Sequence, residues 1–394
     1  MENIVLNRKC ILTPVKGCSW ASEMVLNPGM VKDPDTGRIH MLVRTTGPFP
    51  EKKSPDKPMP FPIFMAYGYS DDDGKTFSFD FENPAFEPKL ETEAHKIYVT
   101  NAKCESVPDY LNGCAEDPRM FYIEGECYCV LCGRTFPPGP YWENDEPTQC
   151  MPEWALKDDS PIGNQKNATV SVLFKVNLKA LADGDYDNAL TYVADLTDPE
   201  KGEDRDVFIF PKKMKIDGKM QYIMIHRPYN PSVYDGISET RPSIMISAAE
   251  DLCSFAKGAT RRELLYAPRH SWQGNRVGAS APAIKLSDGE WLLNFHGKEN
   301  DVDGYAQSFM ILKEKEDSFP EISHLYPKKW IVDEEDFELP NKFKTHCVFF
   351  TGIVQISDKL LVSYGAADEN AAVMELDFKK LENILRTYPY TANN

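Results

Sequence analysis

With 394 residues and 42% hydrophobic content, the chain has ample material for a large core. Its net charge of −17 and pI near 5.0 argue against a nucleic-acid partner. No apolar run is long enough to cross a membrane, and the start, Met1 to Lys9, has no signal-peptide pattern, so a cytoplasmic location is expected.

The first clear strand pair runs from the Asn27-Pro28 break through the apolar segment 39–44, which ends in Arg44. A stiff proline-rich loop, 48–62, leads to a third strand at 63–70. Ser70-Asp71-Asp72-Asp73-Gly74-Lys75-Thr76-Phe77 has the spacing of an Asp-box, a hairpin turn in which Asp72 accepts backbone N–H groups and Gly74 permits positive φ. That motif is structural and does not signal an active site.

The pattern then recurs. Asp117-Pro118 is followed by an apolar strand ending in Arg134, and a second insertion, 137–168, carries Trp142 and Trp154. Either these tryptophans stack on sugar faces or they pin the loop to the strands beneath. Phe210-Pro211 precedes Arg227, Ala281-Pro282 precedes His296, and Phe350-Thr351 precedes Tyr364. Third strands are expected to end near Phe77, Leu181, Phe255, Phe319 and Leu381. Helical periodicity is weak apart from 379–385. Five repeats of short strands predict an all-β fold, a five-bladed β-propeller forming one domain over 1–394.

The chain has ten cysteines. Cys127, Cys129 and Cys132 fall on one strand, where neighbours on one face do not pair easily, so they read as reduced, small apolar core residues. Cys129-x-x-Cys132 lacks a second Cys or His pair at zinc-finger spacing, and no metal site is expected.

A propeller brings corresponding positions of all its blades to one central channel. By chain position the channel receives Asn27, Arg44, Glu116, Asp117, Arg119, Arg134, Arg205, His226, Arg227, His296 and Asp368. Acids set among several cations have the composition of a site rather than of a core. A carboxylic acid can give a proton to a leaving oxygen, and Arg with His can grip an anion. Structural ion pairs between blades are the plain alternative for any one arginine.

These residues resemble glycoside hydrolase family 130. The resemblance rests on Glu116-Asp117-Pro118-Arg119, Phe210-Pro211 with Gly218-Lys219, and His226-Arg227-Pro228. It continues through 278–282 with Trp291 and His296-Gly297, and ends in Tyr364-Gly365-Ala366-Ala367-Asp368. It implies a propeller that cleaves β-mannosides with inversion, mostly by phosphorolysis to mannose 1-phosphate and in some members by hydrolysis. It makes Asp117 the general acid, acting through a sugar hydroxyl in the phosphorylases. Arg134, Arg205 and His226 become the phosphate grip. Asn27, Arg44, Glu116, Arg119, Arg227, His296 and Asp368 become substrate contacts.

The implied partner is an oligosaccharide containing β-mannose. No cofactor is implied, inorganic phosphate being a co-substrate, and a homo-oligomer is compatible with the sequence. Two positions depart from the family pattern. Arg205-Asp206 stands where a Lys-Asp or Lys-Asn pair is usual, and 167–171 lacks a second phosphate-binding arginine. Three other readings remain: a hydrolase, which needs a second carboxylate as base; a non-catalytic carbohydrate-binding propeller; and a five-bladed enzyme acting on arabinosides or fructosides with three separated carboxylates.

Overall fold

A computed structural model of the chain describes residues 3–48, 62–89, 98–111, 114–134, 169–300, 303–342 and 346–391. Nearly all of both insertions, Trp142 and Trp154 included, lies outside the described residues. Five antiparallel sheets form a five-bladed β-propeller. The innermost strands are Met24–Lys32, Ala115–Ile123, Asp204–Ile209, Arg276–Ala279 with Ile284–Ser287, and Val348–Ile356. Most are buried on both faces, which is why they read as apolar runs without alternation. The hydrophobic clusters lie between neighbouring blades. One, for example, joins Val31 and Leu42 of blade one to Met120 and Leu131 of blade two.

Each blade has four principal strands rather than the three expected. The fourth strands of blades one to four are Ser78–Asp80, Leu190–Asp195, Arg261–Tyr266 and Ser318–Leu325. Together they mix buried with partly exposed positions and carry a weaker apolar signal; Arg261–Tyr266 reads Arg-Arg-Glu-Leu-Leu-Tyr and only Tyr266 is buried. The expected ends of the third strands are therefore corrected. Leu181 lies in the helix Leu178–Asp183, Phe255 in the short helix Phe255–Gly258, Leu381 in the helix Phe378–Leu385, and Phe319 in a fourth strand. The fourth strand of blade five is the N-terminal Val5–Leu12, which pairs antiparallel with Asn370–Asp377 and closes the ring.

The inner strands of blades one to three share a bulge. The register slips between Leu26 and Gly29, between Glu116 and Arg119, and between Arg205 and Phe208. At each slip one residue has positive φ: Asn27 at 48°, Asp117 at 50° and Asp206 at 58°. Asn and Asp tolerate this left-handed region better than other side chains, and a bulge re-aims the side chain it carries. The structural counterpart of Asn27 and Asp117 is therefore Asp206. The Phe210-Pro211 pair that the sequence pattern aligned with them lies just beyond the strand.

The Asp-box is present as expected. Asp72 Oδ1 accepts from Thr76 N at 2.8 Å and from Ser70 Oγ at 2.8 Å, and Ser70 Oγ accepts from Gly74 N at 2.9 Å. Cys127, Cys129 and Cys132 are buried on the second strand of blade two, as free thiols. Among the described residues no helix is long and apolar enough to cross a membrane.

Candidate active site

The bulges aim three polar side chains at the centre, and the second strands add longer ones beside them. Asp117, 8% exposed, accepts on Oδ1 from Asn27 Nδ2 at 2.7 Å and from Arg44 Nη1 at 2.8 Å. Arg44 Nη2 also lies 3.5 Å from Glu116 Oε1. The other oxygen of Glu116 accepts from Arg205 Nη1 at 2.5 Å, and Arg205 Nε donates to Glu203 Oε1 at 2.9 Å. A continuous polar chain thus crosses blades one, two and three. Burial alone would lower the pKa of Arg44, but Glu116 and Asp117 outweigh it and hold the guanidinium above its ordinary value. Glu203 and Glu116 do the same for Arg205.

One layer below, Asp206 gathers a second set. Its Oδ1 accepts from Arg119 Nη2 at 2.8 Å, its Oδ2 accepts from Arg227 Nε, and His296 Nε2 lies 3.4 Å away. Burial would raise the pKa of Asp206, but the guanidinium groups of Arg227 and Arg119 hold it well below the usual carboxylate range. Burial lowers the pKa of His296 to about 3, so its imidazole stays neutral. Its Nδ1 pairs with Ser280 Oγ at 2.9 Å; that hydroxyl donates to Gln307 Oε1, whose amide is oriented by Val348 O. This chain makes His296 Nδ1 the donor.

Asp368, in the turn after the second strand of blade five, is raised in pKa mainly by burial; it is hydrogen-bonded to Cys347 and within electrostatic reach of Arg44, Asp117 and Lys298. Asn27 Oδ1, Arg44 Nε and Arg227 Nη1 are buried and have no hydrogen-bond partner among the described residues. No group of three His, Cys, Asp or Glu among those residues is placed to hold a metal ion.

A family model described as beta-1,4-mannooligosaccharide phosphorylase, glycoside hydrolase family 130, matches residues 163–387. The chain belongs to glycoside hydrolase family 130. It is 23% identical over 379 residues to a beta-1,2-mannobiose phosphorylase of Thermoanaerobacter sp. (strain X514), covering 96% of this chain and 98% of that one. Its fold is similar to that of a beta-1,2-mannobiose phosphorylase from Listeria innocua solved with beta-1,2-mannobiose: TM-score 0.61, 19% identity, 98% of this chain and 95% of that chain. It is also similar to a family 130 structure described among hydrolases that target beta-1,2 mannosidic linkages in Candida mannan: TM-score 0.60, 16% identity, 94% and 92% coverage.

Set in the family 130 propeller, the expected site residues divide into three groups. Asn27, Arg44, Glu116, Asp117 and Arg205 come together in one network, with Asp368 beside it. Arg119, Arg227 and His296, expected to touch substrate, are only 1%, 3% and 0% exposed and converge on Asp206 beneath. His226, expected to grip an anion, has both ring nitrogens engaged inside blade three, with Asp204 Oδ2 at 2.7 Å and Ser247 Oγ at 2.8 Å. Arg134 ends its strand opposite Thr169, and its side chain lies outside the described residues. The sequence reading did not select Asp206 as a site residue. Its signal was an Asp at nearly the same interval after Asp117 as Asp117 keeps after Asn27, one residue shorter, with no proline following it.

Proposed function

We propose that this family 130 enzyme is a single catalytic propeller that cleaves β-mannosides with inversion. Inorganic phosphate is the nucleophile and mannose 1-phosphate the product. The observation that carries the reading is Asp117, a carboxyl aimed into the channel by a left-handed bulge and held on one oxygen by Asn27 and Arg44. Its other oxygen is left to deliver a proton, directly or through a sugar hydroxyl, to the glycosidic oxygen as the C–O bond breaks. Phosphate attacks the anomeric carbon from the opposite face and keeps the new bond, so no second carboxyl is required. Asn27, Arg44 and Asp368 line the mannose position, and the unpartnered Asn27 Oδ1 and Arg44 Nε suit sugar hydroxyls.

Two observations bear on phosphate against water. A hydrolase needs a carboxylate base, and most acids of the network are committed to cations: Glu116 to Arg44 and Arg205, Glu203 to Arg205, and Asp206 to two arginines, whereas Asp368 faces the Cys347 thiol and is the carboxyl left for that role. Conversely, two expected phosphate ligands are compensated, Arg205 by two carboxylates and His226 by Asp204. That second observation favours hydrolysis. If phosphate binds, Arg205 and Arg134 are assigned to it. Incubation with β-1,2- and β-1,4-mannobiose, with and without phosphate, decides between the two. Mannose 1-phosphate formed only when phosphate is present is the expected result. Free mannose released at the same rate in both would make the enzyme a hydrolase.

A further inference from the structure

We propose that Arg119 is a positioning residue for the general acid, acting from beneath through the Asp117-Pro118-Arg119 bulge. The proposal rests on the reading of Asp117 as the acid. Arg119 is among the largest fully buried side chains of the molecule. Its Nε donates to the Ser280 carbonyl of blade four at 2.7 Å, and its Nη2 to Asp206 Oδ1 of blade three at 2.8 Å. The side chain therefore leaves blade two and is anchored in blades three and four.

The other side of the same peptide is held as tightly. A Cβ on Gly29 of blade one would stand 2.3 Å from Pro118 O, 2.8 Å from its carbonyl carbon and 3.3 Å from Arg119 N. The Pro118–Arg119 peptide is thus gripped between blade one on one side and the Arg119 anchors in blades three and four. Pro118 adds a fixed φ and has no N–H to compete.

Asp117 lies one residue before this gripped peptide at φ 50°, a left-handed conformation that Asp tolerates and by which the bulge aims its side chain. The anchor is itself stiff. Asp206 is charge-balanced by Arg227 as well as Arg119, and the Ser280 side-chain hydroxyl is tied to His296 and Gln307. A guanidinium satisfies two acceptors at fixed separation through its planar fork, whereas an ammonium head cannot reproduce that geometry. Replacing the fork lets the peptide shift, and the acid with it. A misplacement of about 1 Å at the reacting group costs on the order of 10²-fold in rate.

The test uses Arg119→Lys and, from the opposite side, Gly29→Ala. Each is assayed with phosphate present on an unactivated β-mannoside and on a dinitrophenyl β-mannoside, whose leaving group needs no proton; thermal unfolding is followed in parallel. The expected result is a fall of about 10–100-fold in kcat on the unactivated substrate, with KM within about twofold and the activated substrate changed less than about threefold. Equal losses on both substrates, or a rise in KM alone, would overturn the proposal, because a general structural defect or a lost substrate contact gives those patterns. If Arg119→Lys does not fold, Gly29→Ala is read by the same criteria. Asp117→Asn serves as the reference: if it retains activity on the unactivated mannoside, the assignment of the acid fails, whatever the Arg119 variant does.

Discussion

At the scale of single residues, the site depends on side chains whose charge is set by burial and by close partners. Asp117→Asn is an informative change because Asn keeps a carbonyl oxygen for Asn27 Nδ2 and Arg44 Nη1 and also tolerates positive φ. The bulge is therefore preserved while the proton donor is lost, and Arg44 keeps Glu116 as its remaining charge partner. We expect kcat on an unactivated mannoside to fall about 10²–10⁴-fold, with the fold retained. Near-normal turnover would remove Asp117 from its role. His296 makes a different prediction. Burial lowers its folded pKa to about 3, below its unfolded value of about 6.5. Its contribution to stability is whole above the unfolded value and is lost as pH falls toward the folded one. The folding constant of the native protein, relative to that of His296→Gln, is expected to fall by up to about tenfold per pH unit across that window. Urea titrations at several pH values measure it, and a flat difference would show a histidine that titrates in the ordinary way.

Among the elements, the bulge and the Asp-box do opposite kinds of work with similar backbone geometry. The bulge points a polar side chain inward for chemistry. The Asp-box turns a polar side chain back on its own backbone and ties blades together. Gly74 in that turn has φ 82°, and a Cβ there would meet Leu361 Cδ2 of blade five at 2.3 Å. Gly74→Ala is therefore strained twice, in its backbone and against the neighbouring blade. A loss of about 1–3 kcal/mol is expected in urea unfolding, with catalysis at saturating substrate retained. A neutral result would mean that the turn and Leu361 move apart freely. Asp72, held at a pKa of about 2 mainly by hydrogen bonds from Thr76, stays ionised throughout the working range and keeps the turn closed.

Across the whole molecule, ring closure rests on the N-terminal strand. Arg8 on that strand donates from Nη1 to Glu338 Oε2 at 2.6 Å and to Val332 O at 2.8 Å. Glu338 is fully buried; it also accepts from Tyr364 Oη at 2.7 Å and from two backbone N–H groups. Arg8→Ala would leave this carboxylate without its cation. A loss of about 3–5 kcal/mol is expected, as for other buried pairs broken from one side. Calorimetry would register it as a lower transition temperature, and a variant as stable as the native protein would place the ring's cohesion elsewhere.

The inner and second strands were legible from the sequence because they are continuous apolar runs, and five of them in order determined the propeller. The family resemblance carried by Glu116-Asp117-Pro118-Arg119 pointed to Asp117 as the proposed acid from a short local motif. The outer strands were not legible, because strands with one solvated face lose the apolar signal. The N-terminal strand was hidden because its partner lies at the far end of the chain. The roles of the cations were decided only in three dimensions. By chain position alone Arg44, Arg119, Arg205, Arg227 and His226 are equivalent channel cations, yet burial and the nearest carboxylate separate them. Arg44 and Arg205 border Asp117 and Glu116, Arg119 and Arg227 converge on Asp206, and His226 is closed off by Asp204 and Ser247. Charge is a property of the residue; which charge it neutralises depends on distances between blades, and those exist only once the ring has closed.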